Sequence, residues 1–414
     1  MTCHIYTHKE TSHISSPREG PLTGLKIVVQ PNMSVTGWPT NAGSRALNGY
    51  VALEDATVVK RLRSGGATLV GSARMSELGF GLGGDTLAEA CSGDEVTVGL
   101  ITDTMGEARI ASAVSGMFGY KPSFGIISRL GMIGLIPSME SCGIVGKHLE
   151  NVIAVAEVIA GFDENDFSMA DEPLPDLGES MKSLRIPSTV GVIEECHRML
   201  NESEKNVFKA GITKLKDKGF KIKELSFENF ELFRAVHNVI GSVEASSSSG
   251  KYDGVRYGHR AASDKNWNDM YLKTRGESFG TLIKSYLFQG AYFQFENYPS
   301  FEDACRIRGG LVRKMSRLLE TVDVIALPTR RLMFDATNAT TIAETYEAFS
   351  FTVPANVTGQ PSLSIPRFAS DSTGDVGLQI LGEHKSDVRL LALGMELSSI
   401  VKGVFKIYSL IGFI

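Results

Sequence analysis

Short β-branched runs alternate with segments of helical period along almost the whole chain, and this alternation restricts the fold more than any other feature. "LKIVVQ" (25–30), "ATLVG" (67–71), "STVGVI" (188–193), "KIKEL" (221–225), "DVIAL" (323–327), "PSLSIP" (361–366) and "VGLQIL" (376–381) read as strands. Between and beyond them lie helical segments. "DATVVKRLRSGG" takes Asp55 as cap and Gly65-Gly66 as stop, "VGKHLENVIAVAEVIAGF" ends at Gly161, and "NESEKNVFKAGITKLKDKGF" ends at Gly219. "FEDACRIRGGLVRKMSRLLETV" and "SDVRLLALGMELSSIV" complete the set. Strands and helices in alternation make layers, so the expected class is α/β.

Length and charge narrow the functional classes. The 414 residues carry a formal charge of −5, which argues against a broadly basic surface and hence against strong direct nucleic-acid binding. No apolar run approaches the ~18 residues of a membrane span, so no membrane partner is expected. The five cysteines are odd in number and widely spaced, without a zinc-type pair. Residues 1–20 read as a flexible leader, polar and Ser/Thr-rich, which as a targeting segment would be a weak one; the expected compartment is mitochondrial or cytoplasmic. Residues 21–414 are expected to form one domain, with an acidic, Pro-containing connection near 163–187. "ASSSSGKYDG" (245–254) reads as a flexible loop. The apolar end, "GVFKIYSLIGFI", is open between a final strand and an artefact of the reading frame.

Most chemical motifs are weak. "GFGLGGD" (79–85) contains GxGxxG at Gly79, Gly81 and Gly84, with Asp103 where a ribose carboxylate would stand. It follows no buried strand, so it reads as a glycine loop without a nucleotide. The eight histidines are scattered along the chain, and neither a metal site nor a cofactor is expected. No GxSxG elbow occurs.

One stretch stands apart. "TDTMGEARIASAVSGMFGYKPSFG" (102–125) runs from a Thr/Asp/Gly turn into a small-residue helix and a Gly-Tyr-Lys-Pro break. Loops of this form aim backbone N–H groups at a developing oxyanion. Yet its tip is Glu107, a poor acyl-transfer nucleophile. Read with "PLTGLKIVVQPNMSVTGWPTNAGSRAL", "YDGVRYGHR", "TVPANVTGQPSLSIP" and "GLQILGEH", the chain resembles the amidase signature family over about residues 21–395. The "YDGVRYG" segment and the C-terminal motifs resemble the branch formed by the A subunits of glutamyl-tRNA(Gln) amidotransferases.

The resemblance implies a mixed central sheet flanked by helices on both faces, and a Ser–cis-Ser–Lys triad. This chain departs from that triad throughout. The family's lysine falls on Gln30, which cannot take a proton; Lys26, four residues earlier, is a poor substitute. The Gly/Ser-rich loop with the relay serine has no counterpart between residues 79 and 102, where Ser92 is the nearest hydroxyl. The nucleophile position falls on Glu107, with Thr104, Met105, Gly106 and Arg109 left as the remaining loop. By the same resemblance Arg308 matches an arginine that holds a substrate carboxylate, and Phe349 stands where an aspartate takes the substrate ammonium. The expectation is a non-catalytic, amidase-fold subunit that works with B- and C-like amidotransferase partners. Two alternatives stay open: a genuine A subunit whose loop is missing from this reading frame, and new acid–base chemistry built on Glu107, Arg109 and Arg308.

Overall fold

The computed structural model describes residues 4–10, 19–172, 177, 188–262, 266–366, 368 and 376–398. The apolar C-terminal end and most of the connection near 163–187 lie outside the described residues. In the N-terminal half, strands β1 (Tyr6–Lys9) and β2 (Lys26–Val29) precede helix α1 (Thr57–Ser64) and β3 (Thr68–Ala73). There follow α2 (Leu87–Ser92), β4 (Val98–Asp103), α3 (Glu107–Ser115), β5 (Phe118–Lys121), β6 (Ser141–Gly146) and α4 (Leu149–Ile159). The C-terminal half opens with β7 (Thr189–Ile193), α5 (Glu194–Met199), α6 (Glu202–Asp217) and β8 (Lys221–Leu225). A helical stretch of α7 (Leu232–Ser248), α8 (Trp267–Ser278), α9 (Thr281–Phe295) and α10 (Tyr298–Leu319) leads to β9 (Val324–Pro328). The chain closes with α11 (Ile342–Ala348), α12 (Val353–Thr358), β10 (Ser362–Ile365), β11 (Leu378–Leu381) and a helix α13 over 387–398.

All eleven strands share one mixed sheet, in the order β1-β3-β2-β4-β6-β5-β10-β11-β9-β7-β8. β2 runs parallel to both β3 and β4, and β7 parallel to β8 and β9, while the middle of the sheet is antiparallel. The expected α/β class with a mixed central sheet is therefore what the chain forms. Every residue of β4, β5 and β6 is buried, so these strands lack the alternation that marks a half-exposed strand.

Three local expectations are corrected. Helix α1 starts after Ala56 rather than on an Asp55 cap, because the Asp55 carboxylate accepts the Thr36 N–H at 2.7 Å and pairs with Arg63. The serine run at 245–254 continues α7 and then makes a short turn, since Ala245 and Ser249 are buried and the Ser248 hydroxyl donates to the Leu135 carbonyl at 3.0 Å. Part of the leader belongs to the sheet: β1 pairs antiparallel with β3, and the Thr7 hydroxyl donates to the Ser72 carbonyl.

Small residues let α3 lie close to the sheet. Gly116 ends the helix in the left-handed region at φ +68°. At Gly119 a Cβ would stand 2.4 Å from the Ala108 carbonyl oxygen and 2.2 Å from the Ser112 hydroxyl. Gly119→Ala is therefore expected to cost about 1–3 kcal/mol through forced displacement of α3, read as a lower urea midpoint.

Candidate functional site

The loops after the adjacent parallel strands β2 and β4 meet at the carboxyl ends of those strands, the ordinary place for a ligand site in an α/β sheet. Gln30 follows β2 and is buried at 2% exposure. Its Oε1 accepts the Thr102 N–H at 2.8 Å, and its Nε2 donates to Asp85 Oδ2. Asp85 Oδ1 in turn accepts the Leu87 N–H at 2.9 Å, which fastens the first turn of α2. Burial pushes the Asp85 carboxyl up to about 6, against the pull of those two hydrogen bonds.

Glu107 opens α3. Its Oε2 accepts three consecutive main-chain N–H groups, from Thr104 at 2.7 Å, Met105 at 2.8 Å and Gly106 at 3.1 Å. Its Oε1 accepts the Gly81 N–H at 3.2 Å. Gly106 makes this possible: its φ of +128° turns the amide inward, and a Cβ there would strike the Thr352 side chain. Successive amides curled this way form a nest for negative charge. Burial, and behind it the Asp103 carboxylate, push Glu107 up to about 8, while the amides pull it down. All four contacts are N–H donors to the two Glu107 oxygens, so the nest is filled by the chain's own carboxyl group.

The glycines at 79–84 serve this contact. Gly79, Gly81 and Gly84 have φ of +76°, +78° and +73°, which only glycine adopts without strain. Asp103 is not free for a ribose hydroxyl, because both its oxygens face the Arg109 guanidinium, at 2.9 and 3.3 Å. Arg109 is wholly buried and also donates to the Thr352 carbonyl, Gln379 Oε1 and Asn356 Oδ1. It ties the loop after β4 to α12 and β11, a role in the frame of the site.

The structure adds a chain of side chains that the sequence reading missed. His237 Nε2 lies 3.0 Å from the Thr104 carbonyl, and its Nδ1 lies 2.8 Å from the Tyr346 hydroxyl. Tyr346 is 2.9 Å from the Tyr286 hydroxyl. A carbonyl only accepts, so His237 is protonated on Nε2 and Nδ1 accepts from Tyr346, which accepts from Tyr286. The peptide whose carbonyl meets His237 presents its N–H, that of Met105, to Glu107. Burial holds the imidazole down to about 4. Because this value is depressed, the contribution to stability is complete above the ordinary 6.5 and is lost as pH falls through about 4. The urea midpoint is expected to fall over that window, and to fall less in His237→Gln, which starts from a lower midpoint.

The remaining candidates lie elsewhere or are engaged. Lys26 is exposed at the start of β2, and Ser92 is exposed with its hydroxyl on the Ala88 carbonyl, so neither enters the site. Arg308 bridges Ser138 and the Val357 carbonyl: its Nε donates to Val357 at 2.9 Å and its terminal nitrogens to Ser138 Oγ and carbonyl. Phe349 is fully buried, and its carbonyl accepts from Thr352, whose hydroxyl also donates to the Met105 carbonyl at 2.6 Å. Lys121 was also missed. Burial and then the nearby Arg109 lower its ammonium to about 7, and it donates to the Pro122 and Gln360 carbonyls. Among the described residues no group of three His, Cys, Asp or Glu gathers to hold a metal, and no helix is long and apolar enough to cross a membrane.

The fold agrees with the chain's relatives. The amidase family model, "Amidase", matches residues 6–88 and 87–391, and the chain belongs to that family. It is 32% identical to the A subunit of the glutamyl-tRNA(Gln) amidotransferase of Symbiobacterium thermophilum, over 92% of this chain and 84% of that protein. It is 30% identical to the protein of the same name from Natronomonas pharaonis, over 96% of this chain and 100% of that one. The crystal structure of the Thermotoga maritima protein of that name superposes with a TM-score of 0.76 at 23% identity, covering 94% of this chain and 86% of that chain. A chain from a vestigial protein complex linked to the origins of an s-triazine catabolic enzyme gives 0.78 at 19%, covering 96% and 91%. The two family matches meet at residues 87–88, the first turn of α2.

Proposed function

We propose that this chain is a non-catalytic member of the amidase family that acts by binding partner subunits, on the pattern of the amidotransferase A subunits it is similar to. The Glu107 carboxyl group seated on the Thr104, Met105 and Gly106 amides carries the reading. In acyl transfer such donors must face the substrate oxygen as it gains charge; here they are already occupied by the chain's own carboxyl group. Gln30 adds to it, since an amide cannot shuttle a proton. Both residues also grip the same short segment, Glu107 through Gly81 and Gln30 through Asp85. The short segment and the two unusual side chains thus support one another, which accidental loss of a loop gives no reason to expect.

The relatives' name, a subunit of an amidotransferase, supports a role inside an assembly with B- and C-like subunits. Affinity purification of the tagged protein from its own cells tests this. Stoichiometric recovery of such subunits supports the reading, and recovery of no partner overturns it. The second reading, a genuine A subunit lacking a loop in this frame, is favoured by the break in the family match at 87–88. Sequencing the transcript across residues 79–102 decides it: an unbroken short message removes it, and extra in-frame sequence establishes it.

A further inference from the structure

The segment that joins α7 to α8 combines free positive charge with aromatic rings. Three cations lie over aromatic faces there: Lys251 over Tyr252 at 5.3 Å, Arg256 over Tyr257 at 5.7 Å and Arg260 over Trp267 at 5.4 Å. The first pair belongs to the interior, since Tyr252 is buried. The other two lie at the surface: Arg256 and Arg260 are exposed, Tyr257 is half-buried and Trp267 is 58% exposed. Gly258 brings a further part of the chain to this loop. Its φ is +82°, and a Cβ there would stand 1.8 Å from the Ala46 carbonyl oxygen. The turn Arg45–Leu47 therefore lies directly against the loop, with Arg45 exposed on it. Just beyond, the Tyr50 ring meets Tyr257 at 5.6 Å between centroids. The side chains of Arg45, Arg256 and Arg260 form no hydrogen bond or ion pair with another described residue. The neighbouring acids are mostly taken. Glu277 pairs with His259, Asp269 with Lys273 and Glu54 with Lys60, while Glu77 accepts the Ser44 hydroxyl and the Gly280 N–H. Asp253 accepts the Val255 N–H at 2.9 Å and keeps its charge. Three free guanidiniums thus stand against one unpaired carboxylate, a local excess in a chain of net charge −5; residues 263–265 add one charge of each sign.

We infer that this loop and the turn Arg45–Leu47 form a binding site for a short stretch of single-stranded nucleic acid. Bases stack on Trp267 and on the Tyr50–Tyr257 pair, and phosphates meet the three guanidiniums. An acidic peptide would use the charges and leave the rings idle, whereas a strand of nucleotides uses both, because every base has a π-face. The negative balance of the whole chain argues against a broad footprint and a tight complex, and a local site of modest affinity is compatible with it. Binding here does not depend on whether Glu107 is catalytic. A simpler use of the same stacks competes with it: rings and cations that only hold the loop in place gain nothing from an added base.

The test uses the full chain and a fluorescent octauridylate, followed by anisotropy at low and raised ionic strength. Saturable binding is expected, weakening steeply with salt. The unlabelled oligonucleotide should also quench the tryptophan emission, because Trp267 is the exposed one of the two tryptophans and Trp38 is buried against His8. Arg256→Gln together with Arg260→Gln should weaken binding about tenfold and lower the salt slope by about 1.4, at ~0.7 for each phosphate of a single strand. Trp267→Ala should weaken it roughly tenfold as well and leave the slope unchanged, since stacking and not charge is lost. Both variants alter exposed side chains, and their thermal midpoints should match the parent's. No saturation, equal binding by either variant, or equal competition by an octaglutamate peptide overturns the proposal; the last would mean that the patch reads charge alone.

Discussion

Replacing Arg109 by methionine is expected to remove about 3–5 kcal/mol of stability, the cost of leaving a buried carboxylate without its counter-ion. Asp103 and Arg109 are both fully buried and 2.9 Å apart, and the same guanidinium satisfies Thr352, Gln379 and Asn356. The loss is mainly the stranded Asp103, so adding Asp103→Asn to the Arg109→Met background should restore part of it. Arg109→Lys should also be poor, because a point charge cannot reach carboxylate, amide and carbonyl partners at once. The measurement is the urea midpoint of each variant. An Arg109→Met protein as stable as the parent would show that the network does not hold the loop to α12 and β11.

Glu107→Ala is the second large effect. It empties the nest and leaves the amides of Thr104, Met105, Gly106 and Gly81 without an acceptor. Unmet buried donors cost about 1–3 kcal/mol each. Entering water and the removal of a buried acid offset much of that sum, and a net loss of roughly 2–4 kcal/mol is expected. The distinguishing sign is a gained dependence on anions: sulfate should raise the thermal midpoint of Glu107→Ala more than that of the parent. Equal sulfate responses would mean that the nest does not bind charge. The parent should itself lose stability as pH rises from the ordinary 4.5 through about 8, because burial and Asp103 raise the Glu107 value, and a raised acid stabilises only at lower pH. That slope should be absent in Glu107→Ala. A parent slope of the opposite sign, also lost in the variant, would mean that the amides outweigh burial.

The sequence showed the frame more clearly than the contacts. Strands bounded by turn residues, such as β7, β9 and β11, were legible because their apolar runs are short and interrupted. β5 and β6 were not, since strands buried on both faces and containing glycine and cysteine carry no period. β1 reads as polar leader and becomes a strand only by pairing with β3. In the site, Gln30 and Glu107 stood out as departures from a family pattern, but their partners did not. Gly81 lies 26 residues from Glu107 and Asp85 lies 55 from Gln30, so only the tertiary fold brings them together. His237, 133 residues from Thr104, was one of the scattered histidines and carried no signal of its own. The glycines at 79–84 read as a loop without a nucleotide, and the informative part, their positive φ and the Gly81 amide on Glu107, emerges only in the fold.

On the proposed reading, the loop after β4 no longer performs amide chemistry because its donors are filled from within. Ammonia release from glutamine and from a simple aliphatic amide by the purified chain tests this most directly. Release is expected at the protein-free background, unchanged in Glu107→Ser, since Gln30 and the missing serine loop still provide no proton relay. Saturable release that disappears in Glu107→Gln would contradict the reading, and would make Glu107 a working catalytic residue.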